Sequence, residues 1–213
     1  MRIRLTFSKT EAMRFTGHLD LQRTLERTIR RANLPLAYSE GYHPHPKLAL
    51  AAALPLGFTS NGEVADMWLK EEIALKDVEA ALKNASPPGV VFDNVEQIEL
   101  DKPKIQTMLK SAEYLVTLPE PIPGLEQRVA DLLAAEAIPY TRTRKRKSKD
   151  IDMRPLIEEL AVEEPGEDGR PRLGMRLAAR EGATGRPDEV LGVLGVKAAT
   201  AAIDRTDLLF AAE

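Results

Sequence analysis

Three histidines, a strip of arginines and a dense cationic run are the residues of this 213-residue chain whose types and spacing could do chemistry. His43 and His45 stand one residue apart in "EGYHPHPK", residues 40–47. An extended backbone points alternate side chains the same way, so both imidazoles could approach one ion. A metal site needs three or four converging ligands, however, and His18 is the only histidine left to join them. No metal is expected. Each imidazole could instead serve as a general acid or base, with His18 and His45 as the candidates. The simpler role is recognition. Gly41 permits a turn with positive φ, while Pro44 and Pro46 bias the residues before them toward extended geometry. A loop stiffened in this way loses less entropy on meeting a partner. Tyr42, His45 and Lys47 then present a ring, a hydrogen-bonding imidazole and a cation, a set suited to RNA.

Arg23, Arg27, Arg30 and Arg31 follow at offsets of four, three and one, about a quarter turn of one helix opposite its apolar stripe. Asp20 and Glu26 are placed to pair with some of them. Two readings stand: a solvated face with such local ion pairs, or a phosphate-tracking surface made by all four, since guanidinium forks match phosphate oxygens. A second basic stretch is "TRTRKRKSKD", residues 141–150, in which Arg142, Arg144, Lys145, Arg146, Lys147 and Lys149 fill six of eight positions. Its cations alternate onto both faces of an extended segment, so neither face is expected to be buried and the piece should project as an arm. No aromatic residue is interleaved, which points to backbone contact rather than base stacking. Asp150 and Asp152, two residues apart, are partners for neighbouring cations before they are a metal or general-base pair.

Composition narrows the chemistry further. Cysteine is absent, which excludes disulfides, a thiolate nucleophile and an iron–sulfur cluster ligated by this chain. Net charge is −3, yet it is unevenly placed. Residues 1–47 carry nine Lys/Arg against four Asp/Glu, and residues 48–101 carry three against ten. A local basic field is what a phosphate backbone feels, whatever the total. No apolar run approaches the ~20 residues that span a bilayer, and the first residues alternate charge with apolar side chains rather than forming a signal peptide, so a cytoplasmic location without membrane contact is expected.

The elements that must position these groups read as follows. Arg2–Phe7 alternates with period two as a strand, and His18–Asn33 is a helix with Leu21, Leu25, Ile29 and Ala32 on one side. Leu34-Pro35 stops it. A short strand start at Leu36–Ser39, the histidine loop, and strands at Lys47–Ala53 and Glu63–Leu69 come next. A helix over Ala74–Asn84 and a strand over Val90–Ile98 complete a β-α-β-β-α-β order, that of the ferredoxin-like split βαβ. The remainder repeats it more faintly: a strand at Tyr114–Leu118, a helix at Gly124–Glu136, strands at Tyr140–Lys147, Ile157–Val162 and Arg172–Ala178, a helix at Pro187–Leu194 and a strand at Leu208–Ala211. Glu164–Arg170 reads as a solvated hairpin turn. The expected fold is α+β, two tandem ferredoxin-like halves with antiparallel sheets. Residues 1–101 form the first domain and 102–213 the second, which bears the basic arm at 141–150; Asp101–Ser111 is the linker.

Phe15-Thr16-Gly17-His18-Leu19-Asp20, Tyr38 to Lys47, and Leu54-Pro55-Leu56-Gly57 together resemble the radical-SAM-linked domain family of bacteria. The resemblance is strongest over the first 70 residues. That family is found fused to, or encoded beside, B12-binding-type radical-SAM proteins. Its loop usually runs aromatic-Asn-Pro-His-Pro-Arg/Lys; His45 and Lys47 match, whereas His43 stands where Asn is expected. The resemblance implies a radical-SAM partner that holds SAM and the iron–sulfur cluster, with no cofactor in this chain. The expected function is therefore a non-catalytic accessory module that binds tRNA or rRNA. Two alternatives stand beside it: a metal-independent endoribonuclease resembling the CRISPR repeat-processing enzymes, with His18 or His45 catalytic, and an adaptor that binds protein alone.

Overall fold

Alternation in Arg2–Lys9 produces β1, whose odd positions Ile3, Leu5 and Phe7 are fully buried. A computed structural model describes residues 1–144 and 147–211, and the chain is a mixed α+β protein with a large, mostly antiparallel sheet. It divides into two units, one made of Met1–Leu109 with the stretch from Arg205 onward, the other of Lys110–Asp204.

In the first unit, β1 pairs antiparallel with β3 (Phe58–Trp68) on one side and β4 (Val90–Ile98) on the other. β2 (Leu48–Leu50) pairs with β3 at Leu50↔Ala65, giving the order β4-β1-β3-β2. Two helices, α1 (His18–Arg31) and α2 (Leu75–Ala85), cover the face that carries Ile3, Leu5 and Phe7. Leu21, Leu25 and Ile29 of α1 join Met67, Val78 and Leu82 in that core, as the helical spacing predicts. The helix ends two residues earlier than expected. Ala32 caps it, Asn33 turns left-handed at φ 53°, a conformation Asn tolerates, and Leu34-Pro35 leads the chain away.

β3 starts five residues before the predicted strand. Thr59-Ser60-Asn61-Gly62 has turn-forming composition, yet it continues the strand. A Cβ on Gly62 would lie 2.7 Å from the Thr206 carbonyl oxygen, so glycine is required by close backbone approach rather than by a turn. The opposite face of this sheet is polar. Asp66 sits between Arg2 and Arg4, at 2.6 Å from Nη2 of Arg2 and 2.9 Å from Nε of Arg4. Arg2 also donates to the carbonyls of Lys102 and Pro103, which holds that segment against the sheet. The stretch expected to be a linker contains a one-turn helix, α3 (Ile105–Met108), and the start of β5 (Leu109–Thr117).

In the second unit β9 (Arg172–Arg180) pairs with β5, with β8 (Ile157–Glu163) and, at its end, with β10 (Ala183–Thr184). Val116, Leu160, Leu173, Met175 and Leu177 are buried in it. Helices α4 (Leu125–Ala134) and α5 (Pro187–Val193) fall close to the expected segments, and Glu164–Arg170 is the hairpin turn between β8 and β9. The basic segment is a hairpin of its own, β6 (Pro139–Arg144) with β7 (Lys147–Asp152). The last strand, β11 (Ala202–Phe210), begins six residues before the predicted one; from Arg205 onward it belongs to the first unit, beside β3. Among the described residues no helix is long and apolar enough to cross a membrane.

Candidate nucleic-acid interface

The arginine strip lies on the exposed face of α1, opposite the buried stripe, but its four members are not equivalent. Arg23 pairs with Asp20 at 3.1 Å. Arg31 donates to the Ala85 carbonyl at the end of α2, where a cation satisfies the orphan acceptor of a helix C-terminus. Glu26, expected to neutralise an arginine, accepts from Gln22 at 3.3 Å instead. Arg27 and Arg30 are exposed and meet no carboxylate among the described residues.

The histidine loop is closed at its base. Ser39 N–H donates to the His45 carbonyl at 2.8 Å, His45 N–H donates to Ser39 Oγ at 2.9 Å, and Lys47 N–H donates to the Ala37 carbonyl at 2.8 Å. Gly41 adopts φ 123°, as the turn requires. These bonds, with the two prolines, hold the tip outward: Tyr42 is 94% exposed and stands edge-on to His43, centroids 4.9 Å apart. His45 and Lys47 are exposed as well.

Beneath the start of α1 lies a group of residues that the alternation concealed. Lys9 is fully buried, and its ammonium donates to the carbonyls of Phe58 at 2.8 Å, Thr16 at 2.9 Å and Arg14 at 3.2 Å. Burial lowers its pKa to about 8; Glu63 opposes that shift and Arg205 adds to it. Glu63 and Arg205 form a bidentate pair, 2.8 Å and 2.6 Å, with both side chains 1% exposed. Arg205 also reaches the Ala53 carbonyl at 3.1 Å. His18 opens α1 at the edge of this group. Desolvation lowers its pKa, against the field of Glu63, and its Nδ1 is enclosed without a hydrogen-bond partner. The ring is therefore neutral at pH 7. An inward position in a period-two strand occupied by lysine was the one signal that could have exposed this group.

In the second unit the hairpin register sets Arg142 opposite Lys149 and Arg144 opposite Lys147. Like charges directly opposite destabilise a ladder, so an anion is favoured beside Arg142 and Lys149. Arg142 is withdrawn from that role. Its Nε lies 2.7 Å and its Nη2 2.5 Å from Glu189, and it donates to the Thr184 carbonyl at 3.0 Å. The hydrogen bond to Glu189 raises its pKa. Arg142, expected among the phosphate ligands of the arm, is instead held by a buried carboxylate on α5. Lys145 and Arg146 lie outside the described residues. Asp150 accepts from Thr141 Oγ1 at 2.7 Å, and Asp152 accepts the backbone N–H groups of Ile138 and Arg154 at 2.8 and 2.9 Å, which lower its pKa. Both carboxylates brace the hairpin. Among the described residues no three His, Asp or Glu side chains gather in a way that could hold a metal ion.

Residues 2–187 match the model of a family described as an uncharacterized protein conserved in bacteria (DUF2344). The chain belongs to that family. No curated protein matches it. Among solved structures, a chain in the crystal structure of a Cbf5–Nop10–Gar1 complex is similar in backbone, at 12% identity and a TM-score of 0.48; the likeness covers 97% of this chain and 48% of that one. This DUF2344 member thus spans about half the length of that protein. Its own geometry offers, in the first unit, an α1 face with uncompensated guanidiniums and a braced aromatic loop, and, in the second, a hairpin whose Arg142 is neutralised by Glu189.

Proposed function

We propose that this DUF2344 chain is a non-catalytic module that binds RNA, a tRNA or an rRNA, and works beside a radical-SAM enzyme in the cytoplasm. The observation that carries the reading is the exposed face of α1, where Arg27 and Arg30 lack carboxylate partners among the described residues and Arg23 has a single exposed one. Guanidiniums crowded in one strip repel each other, and phosphate oxygens relieve that repulsion with forked hydrogen bonds. Tyr42, His45 and Lys47 on their closed loop add a ring, an imidazole and a cation in the same unit. Arg144, Lys145, Arg146 and Lys147 are consecutive cations in the sequence, and we read that run as a second segment for phosphate contact. The radical-SAM partner rests on the sequence resemblance; with no cysteine in this chain, SAM and an iron–sulfur cluster would belong to that partner. We also read each unit as ferredoxin-like, supported by the antiparallel order β4-β1-β3-β2 in the first and β8-β9-β5 in the second.

Binding of labelled RNA across a salt series tests the reading. The logarithm of the affinity falls linearly with that of salt, and replacing both Arg27 and Arg30 by Ala lowers the slope by about two. An unchanged slope removes α1 from the interface. RNA incubated with the protein stays intact; cleavage that disappears in His18→Ala or His45→Ala would replace this reading by the endoribonuclease.

A further inference from the structure

We propose that Phe15 is a stacking platform for an unpaired nucleobase, so that the RNA bound by this module is single-stranded or has an extruded base at the start of α1. The inference rests on the RNA-binding reading and names the form of RNA the surface accepts. Phe15 is 77% exposed. A single exposed apolar side chain is ordinary, but this one is held in place from both sides. The buried ammonium of Lys9 takes the carbonyls of Arg14 and Thr16, the two residues that flank it. Arg14 is fixed again by a two-way bond to Gly57: its Nε donates to the Gly57 carbonyl and its own carbonyl accepts the Gly57 N–H, each at 2.9 Å. The ring is therefore presented by a braced loop.

The surroundings of the ring set its ligand. The Arg14 guanidinium lies over it, 5.5 Å from the centroid, and strengthens a stack that a base can extend. Leu19 and Leu56, 66% and 62% exposed, adjoin His18 and Gly57 and bring further apolar surface to the same end of α1. Leu19 precedes Arg23 by one helical turn, and Arg23, Arg27 and Arg30 continue along that side of the helix. An apolar ring that leads into a row of guanidiniums matches a nucleotide strand, whose bases offer π-faces and whose backbone offers phosphates. A duplex hides those faces inside its stack and is recognised through its shape, 2′-hydroxyls and phosphates, to which Phe15 contributes nothing.

Fluorescence anisotropy with an unstructured RNA strand, and with the same strand annealed to its complement, tests the proposal on the full chain. Wild type binds the single strand more tightly. Phe15→Ala weakens that binding about tenfold, leaves duplex binding unchanged, and keeps the salt slope, because no phosphate contact is lost. Phe15→Trp retains affinity and its emission is quenched on binding. Equal affinity of Phe15→Ala and wild type for the single strand overturns the proposal while leaving RNA binding standing. So does capture of a protein partner that depends on Phe15 while RNA affinity does not. Absence of salt-dependent binding to either RNA by wild type removes the RNA-binding reading and this inference with it.

Discussion

The basic face of α1 and the basic hairpin look alike as sequence, each a cluster of Arg with few acids between, and the folded chain uses them differently. On α1 the helix buries its own apolar stripe and leaves Arg27 and Arg30 to solvent. In the hairpin the strand offers no apolar stripe, and its first cation, Arg142, is tied to Glu189, a carboxylate 47 positions further along the chain. Arg205 goes further still: it is buried against Glu63 and serves the interior of the first unit. The number of cations in a segment therefore overstates the charge it can offer a ligand. What matters is where the fold brings the carboxylates.

Substitutions at the three classes of arginine break this comparison in graded steps. Arg205→Met leaves Glu63 charged and buried without its partner, and should cost about 3–5 kcal/mol in urea unfolding. Adding Glu63→Leu should recover much of that loss; a single variant as stable as wild type would show that the pair does not brace the first unit. Arg142→Ala should cost about 1–3 kcal/mol by stranding Glu189, with the salt slope of RNA binding unchanged. A reduced slope there would move Arg142 back among the phosphate ligands.

The next effect is a pH dependence confined to the group beneath α1. Lys9 is lowered to about 8 in the folded chain against 10.5 unfolded, so between those values the unfolded state holds the extra proton and stability rises with pH. His18 is lowered below 6.5, so as pH falls through 6.5 the unfolded state takes up a proton first and stability drops. Urea midpoints across pH should show both trends, the first absent in Lys9→Met and the second in His18→Gln. The smallest effect belongs to α1: Arg27→Ala with Arg30→Ala should change stability by no more than about 0.5 kcal/mol, which a thermal melt would check.

What could be read from the sequence follows the same division. α1 was legible because it buries one face at the helical period, and Val90–Ile98 has the predicted bounds although a register shift breaks its alternation between Phe92 and Val95. The brace of the histidine loop was legible in its prolines and Gly41. The first five residues of β3 were not, since Gly62 has a turn-former's identity and a packing residue's role. The start of β11 was hidden by Asp204, Arg205 and Asp207, which read as surface; Glu63, 142 positions away, supplies the partner that buries Arg205. Lys9 set pattern against residue type: the alternation points it inward and its charge argues outward. Phe15, at the edge of a motif noted for His18, drew no notice because exposure cannot be read from a single aromatic in a loop.

Lys9 does for its loop what a bound calcium or potassium ion does elsewhere, collecting backbone carbonyls from separate segments around one positive charge. Here the ion is covalently attached, so it cannot be lost to a chelator, exchanged for another metal or depleted by starvation. The loop that carries Phe15 is consequently assembled as the chain folds, with no cation to acquire from solution.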